Sequence, residues 1–164
     1  MKKLSIIAVL VLFFAVNVSY SQMSDFDLND LDGGTVKLSE LLKKGPVFLQ
    51  FWATWCIPCK EEMKVLNELN DKYKDSGFVY VAVSIDDQKS VSKVKPFIES
   101  KGYKFITVYD TDKNVFNNFG GQDPPFSVFL DRNGNVFKTY SGYIQGDDAK
   151  LDADIKEALK TGKN

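Results

Sequence analysis

A chain of 164 residues with a formal net charge of −1 and 26% charged residues has the size of one ordinary domain. It carries no basic surplus of the kind that binds nucleic acid, and its 44% of hydrophobic residues can supply a core without staples. With two cysteines and no histidine, it also lacks the four Cys, His or carboxylate ligands that a zinc site usually takes.

Met1, Lys2 and Lys3 open the chain with positive charge, and residues 4–16 form an apolar run. Ser19 and Ser21 then place small residues at alternate positions before Gln22. This is the pattern of an export signal cleaved after Ser21, which gives a signal peptide over residues 1–21 and one domain over 22–164. The alternative is an uncleaved N-terminal membrane anchor. The apolar run is short for a span, which favours cleavage. Export would put both cysteines where disulfides persist.

Residues 26–28 and 35–38 flank Asp32, Gly33 and Gly34, and read as two short strands around a turn. That hairpin is expected to cover one end of a sheet. Ser39 and Glu40 begin a short helical turn that Gly45 and Pro46 stop. Residues 46–52 are apolar and aromatic apart from Gln50, and read as a buried strand. Residues 60–75 read as an amphipathic helix with Met63, Leu66, Leu69 and Tyr73 on one side, and Pro58 suits its first turn.

Cys56 and Cys59 therefore stand where a strand gives way to a helix. Thiols two residues apart can close a small disulfide ring or open to a dithiol. Unpaired N–H groups and the dipole at a helix start stabilise a thiolate, the form that attacks disulfides. Two other readings compete. A zinc site is starved of ligands, and an inert disulfide would close too small a ring to staple distant parts of the chain.

Residues 78–85 read as the next core strand, and Asp86 and Asp87 as a polar turn. Val91, Val94, Phe97 and Ile98 mark a helix over residues 90–100, with a kink or early break expected at Pro96. Residues 105–109 form another strand, and Asp112 is placed to cap a short helix ending at Phe119. After Asp123, Pro124 and Pro125, residues 126–130 and 136–141 make a hairpin around Arg132, Asn133 and Gly134. Asp147 or Asp148 can cap a last helix with Leu151, Ile155 and Leu159 on its buried side.

The stretch from Phe51 through Trp55, Cys56, Ile57, Pro58 and Cys59 to Lys60, following a buried strand, resembles the active site of the thioredoxin fold. The longer pattern, from about Phe26 onward, resembles the TlpA/ResA-like branch of extracytoplasmic thiol-disulfide oxidoreductases. The resemblance implies an α/β thioredoxin-like fold, a central mixed sheet flanked by helices. It also implies an N-terminal hairpin and an inserted helix-strand unit, which residues 90–109 match.

The resemblance further implies a redox-active disulfide between Cys56 and Cys59, with no separate cofactor and no metal. Cys56 would be the exposed nucleophile and Cys59 the more buried resolving thiol. Trp55 would shape the surface beside Cys56, and for Trp52 that role stands level with plain core packing. Pro125 matches the family's cis-proline, and with Pro124 and Trp55 it would contact substrate. Two departures stand out: Phe126 occupies a position usually held by a small residue, and Pro124 has no N–H to offer a docking peptide.

Glu62 falls on the same helix face as Cys59, at the spacing of a functional glutamate in these relatives. It can raise thiol pKa values and carry the proton of Cys59, or serve only as a first-turn acid on the helix dipole. Gln50 stands where thioredoxin has a titrating aspartate and cannot take over that task.

The function implied is reduction of disulfides in exported proteins, with apocytochrome c as one substrate class and a membrane electron-donor protein as the source of electrons. The protein would act in the periplasm or an equivalent extracytoplasmic space as a monomer. Strongly oxidising relatives place His between the cysteines, where this chain has Ile57 and Pro58. The alternatives are a disulfide oxidase or isomerase, and a non-catalytic module that binds thiol proteins.

Overall fold

A computed structural model describes residues 25–161; the expected signal segment and its junction at Ser21 lie outside them. The first elements are β1 (Asp27–Asp30), β2 (Thr35–Lys37), α1 (Leu38–Leu42), β3 (Val47–Trp52) and α2 (Ile57–Tyr73). Then come β4 (Val79–Ser84), α3 (Val94–Lys101), β5 (Ile106–Tyr109) and α4 (Asn114–Asn118). The chain closes with β6 (Phe126–Leu130), β7 (Val136–Ser141) and α5 (Asp148–Thr161).

One seven-stranded sheet has the order β2-β1-β5-β4-β3-β6-β7. β3 lies parallel to β4 and antiparallel to β6, and β4 lies parallel to β5. Every residue of β3, β4 and β6 is buried, and for β3 and β4 this is why the sequence shows apolar runs rather than alternation. The architecture is the mixed sheet flanked by helices that the sequence implied.

Register decides which side chains share a face. Tyr140, Ser127, Gln50, Ala82 and Thr107 stand directly opposite one another across β7, β6, β3, β4 and β5. Successive strand residues alternate in direction, so Phe48 and Trp52 point the same way as Gln50. Phe97 of α3 packs on Trp52 at 5.4 Å between ring centroids, and Glu62 of α2 bonds Gln50. On the opposite face, Phe51 meets Phe116 of α4 at 5.4 Å and Phe126 at 6.0 Å.

Four local expectations need correction. The hairpin does not cover an end of the sheet: β1 pairs with β5 at Asn29↔Tyr109 and Asp30↔Val108, so the hairpin extends the edge. α2 spans Ile57–Tyr73 rather than residues 60–75, with Pro58 in its first turn as expected, because Cys56 in an extended conformation serves as its N-cap. Pro96 causes no break. A 3-10 turn over Val91–Lys93 leads into α3, and Pro96 falls in that helix's first turn, where its missing N–H costs no intrahelical bond. α4 is capped by Asp110 rather than Asp112: the buried Asp110 carboxylate accepts from the N–H groups of Val115 at 3.2 Å and Phe116 at 2.8 Å.

Candidate active site

The loop between β3 and α2 is held from below. Trp52 O accepts from Ile85 N at 2.8 Å, extending the β3–β4 ladder by one residue. Thr54 donates its N–H to Asp86 Oδ2 at 2.8 Å and its hydroxyl to Asp86 Oδ1 at 2.6 Å. Ser84 Oγ also donates to Asp86 Oδ2, at 3.0 Å. Cys56 N then donates to Ala53 O at 3.0 Å, closing a tight turn that delivers Cys56 to the start of α2.

Cys56 and Cys59 are joined as a disulfide with an S–S distance of 2.00 Å. Cys59 N donates to Cys56 Sγ at 3.3 Å, so the helix start already directs an N–H at the sulfur that would carry negative charge after reduction. Cys59 is fully buried, but Cys56 is only 4% accessible and is not the exposed residue the sequence reading expected. The backbone turn that seats it as the N-cap also sinks it between its neighbours. Those neighbours carry the exposure: Trp55 is 60% and Ile57 72% accessible. Trp52 is buried against Phe97 and shapes the core rather than the surface, because it faces the helices with Gln50.

Beneath the disulfide lies a buried polar chain. Gln50 Nε2 donates to Glu62 Oε2 at 2.7 Å and to Cys59 O at 3.1 Å, and the Tyr80 hydroxyl donates to Gln50 Oε1 at 2.5 Å. Ser127 Oγ donates to Glu62 Oε1 at 3.3 Å. Desolvation pushes the Glu62 carboxyl up to about 7, against hydrogen bonds from Gln50 and Ser127 that favour the carboxylate. A group titrating there can hold or release a proton near neutral pH. Burial also pushes the Tyr80 phenol well above its ordinary value, so it stays a donor. Glu61, by contrast, lies outside and pairs with Lys64 at 3.0 Å. Lys60 is not simply solvated; its ammonium sits 5.0 Å from the centre of the Phe97 ring.

Sequence reasoning missed Ser127, Tyr80 and Asp86. Ser127, like Gln50, is a polar residue inside a fully buried strand, and such a residue must find a partner. That signal was available.

The Pro124–Pro125 bond is cis. Pro125 immediately precedes Phe126, the register partner of Phe51, which places the cis bond beside the end of β3 from which the cysteine loop departs. Pro125 O accepts from Gly142 N at 2.8 Å, which brings the segment after β7 alongside. Phe126 fills an aromatic cluster with Phe51 and Phe116, which accounts for a bulky residue after the cis-proline. Pro58, which lies between the two cysteines, helps line a cleft of about 560 Å³ together with Val65, Tyr143 and Gln145. Among the described residues, no cluster of His, Cys, Asp and Glu is arranged to hold a metal ion.

The fold and the paired cysteines define a thioredoxin-fold thiol-disulfide oxidoreductase. The chain belongs to the Redoxin family, whose sequence signature matches residues 19–155. Thiol-disulfide oxidoreductase ResA of Geobacillus thermodenitrificans (strain NG80-2) is 38% identical over 130 residues, 79% of this chain and 73% of that protein. Thiol-disulfide oxidoreductase ResA of Bacillus anthracis is 36% identical over 118 residues, 72% of this chain and 66% of that one. A Chlorobium tepidum structure described as a candidate thiol:disulfide interchange protein DsbE superposes with a TM-score of 0.77 at 31% identity. The match covers 84% of this chain and 95% of that one.

Proposed function

We propose that this protein reduces disulfides of exported proteins outside the cytoplasm, through Cys56 and Cys59. The observation that carries the reading is the cysteine pair at the start of α2 with the buried Glu62 beneath it, clamped by the same amide that binds the Cys59 carbonyl. In the dithiol form, the Cys56 thiolate attacks one sulfur of a substrate disulfide. An S–S bond to Cys56 forms, and the other substrate sulfur leaves as a thiolate and is protonated. Cys59 then gives its proton to the Glu62 carboxylate and attacks Cys56 Sγ. The Cys56–Cys59 bond forms, the mixed disulfide breaks, and its electron pair leaves on the second substrate sulfur. Two electrons pass from the dithiol to the substrate, and a dithiol donor at the membrane restores the enzyme.

Trp55 offers substrate an exposed apolar face, and Pro124 and Pro125 lie beside the end of β3 that leads into the cysteine loop. Since Pro124 has no N–H, a docking strand could only donate to its carbonyl. The reductive direction is supported by Ile57 and Pro58 between the cysteines and by the lack of any histidine in the chain. The extracytoplasmic setting is supported by the positive start and the apolar run over residues 4–16. No helix among the described residues is long and apolar enough to cross a membrane. The relatives named ResA support a protein disulfide as substrate, and apocytochrome c in its disulfide form is the substrate class we assign. The enzyme acts as a monomer and needs no cofactor beyond its own disulfide.

Trapping tests the reading. Cys59→Ser keeps the attacking thiol and loses the resolving one, so it should accumulate reductant-sensitive adducts with exported proteins, while Cys56→Ser should trap far less. Equal trapping by both variants would refute the ordered roles. No adducts, together with no reduction of insulin by the native protein in dithiothreitol, would favour a non-catalytic binding module.

A further inference from the structure

Gln50 is wholly buried in the middle of β3, and its amide makes three hydrogen bonds there. The carbonyl of Cys59 only accepts, as does an ionised carboxylate, and both face Nε2. The Tyr80 hydroxyl, itself fully buried, donates to Oε1. Turning the amide over would set its oxygen against the Cys59 carbonyl and the Glu62 carboxylate, neither of which can donate to it. The neighbours therefore select one orientation of the amide, and that orientation presents a donor to Glu62.

We propose that Tyr80 and Gln50 are a positioning pair for the Cys59 step: Tyr80 pins the Gln50 amide, and the amide holds Glu62 as a carboxylate beside the backbone of Cys59. The pair rests on Glu62 accepting the Cys59 proton, as proposed above. Neither residue touches a reacting sulfur; both act through Glu62. In that step the proton leaves Cys59 Sγ for a Glu62 oxygen as the Cys56–Cys59 bond forms and the substrate sulfur departs with its electron pair. A carboxylate held ready by a donor can take that proton; a carboxyl already protonated cannot.

The surroundings sharpen the role. From β6, Ser127 gives Glu62 a second and longer hydrogen bond. Tyr80 faces it from β4 and Tyr140 from β7, while Tyr143 and Asp147 approach from the segment before α5. Burial holds the three tyrosines neutral, and Asp147 opposes a negative charge on Glu62. Among the described residues, no cation offsets these effects on Glu62. The carboxylate therefore depends on two neutral donors, and Gln50 is the closer.

The test is a pH titration of the Glu62 carboxyl by carbon NMR in the oxidised full protein, alongside the pH profile of single-turnover disulfide reduction. The variants are Gln50→Met, which keeps length and volume but has no donor, and Tyr80→Phe, which loses one oxygen. The native midpoint should lie near 7. Gln50→Met should raise it by about one pH unit or more, a tenfold gain in proton affinity, and Tyr80→Phe should raise it by less. The kinetic inflection should move the same way, and neither substitution should shift the profile further in a Glu62→Gln background. A midpoint unmoved in folded Tyr80→Phe and Gln50→Met proteins overturns the proposal; if Gln50→Met does not fold, an unmoved Tyr80→Phe midpoint suffices to do so. A moved carboxyl midpoint with an unmoved kinetic profile upholds the clamp on the carboxylate and refutes Glu62 as the proton acceptor.

Discussion

At Glu62, burial and hydrogen bonding pull in opposite directions, and burial prevails: the carboxyl rises from its ordinary 4.5 to about 7. Because the folded value lies above the unfolded one, the folded protein binds this proton more tightly. The stability this proton brings is fully present below about pH 4.5 and is lost as pH rises through about 7. The total loss is about 3 kcal/mol by linkage. Urea unfolding of the oxidised protein should show this decline, and Glu62→Gln should flatten it, because a neutral amide has no proton to lose. The same substitution should slow reduction of insulin by about 10–100-fold at pH 7 and remove the inflection near 7 from the rate profile. An unchanged profile would leave Glu62 as a buried acid with a purely structural role, since it lies beyond the first turn of α2. Cys56 should titrate below the free-thiol value of about 8.5, since the helix start and the Cys59 N–H favour its thiolate. Alkylation of the reduced protein across pH measures this, and Cys59 reacting first would reverse the assigned order.

Buried aspartates follow two neighbouring strands and do the same kind of work for different elements. Asp86 follows β4 and holds the cysteine loop through both donors of Thr54; Asp110 follows β5 and caps α4 through two backbone N–H groups. Asp110→Ala should cost about 1–2 kcal/mol, the usual worth of a cap, with little effect on thiol chemistry. Asp86→Ala should cost about 2–3 kcal/mol, since it strands the Thr54 N–H and hydroxyl. It should also slow insulin reduction, because the turn that seats Cys56 loses its support. Urea midpoints and rates for the two variants separate these effects. Asp86 reads in the sequence as the start of a polar turn, and nothing local says that its carboxylate reaches back to Thr54. The choice between Asp110 and Asp112 as a cap is equally hidden: both precede the helix, and only the path of the backbone decides. By contrast, β3 and β4 are legible because strands buried on both faces are apolar along most of their length, and the cysteine pair is legible because the strand-to-helix switch surrounds it. The hairpin's place at the sheet edge depends on two ladder pairs with β5, nearly 80 residues further along, and a local pattern carries no trace of that.

Across the whole molecule, the question is whether the disulfide holds the fold together or performs chemistry upon it. Its ring encloses Ile57 and Pro58 alone, and a cross-link so local removes little freedom from the unfolded chain: about 2 kcal/mol in the chain-entropy account. The core draws on side chains from almost every element. Val47, Phe48, Leu49, Phe51 and Trp52 of β3 alone are fully buried, and each such side chain contributes roughly 1.5–3 kcal/mol by leaving water. Replacing both cysteines by serine also sets a hydroxyl at the fully buried position 59, a local cost that a core of this size can absorb. The Cys56→Ser, Cys59→Ser double variant should therefore stay folded, with an unchanged far-ultraviolet spectrum and a cooperative thermal transition. Its Tm should fall by about 5–10 °C, the shift that a loss of about 2 kcal/mol produces in a domain of this size. Its insulin reduction should vanish entirely. A double variant that no longer folds would make the bond a structural staple, and the redox reading would lose the argument from ring size. A folded, inactive variant sets stability and activity apart: the core supplies the first, and the two sulfurs at the start of α2 supply the second.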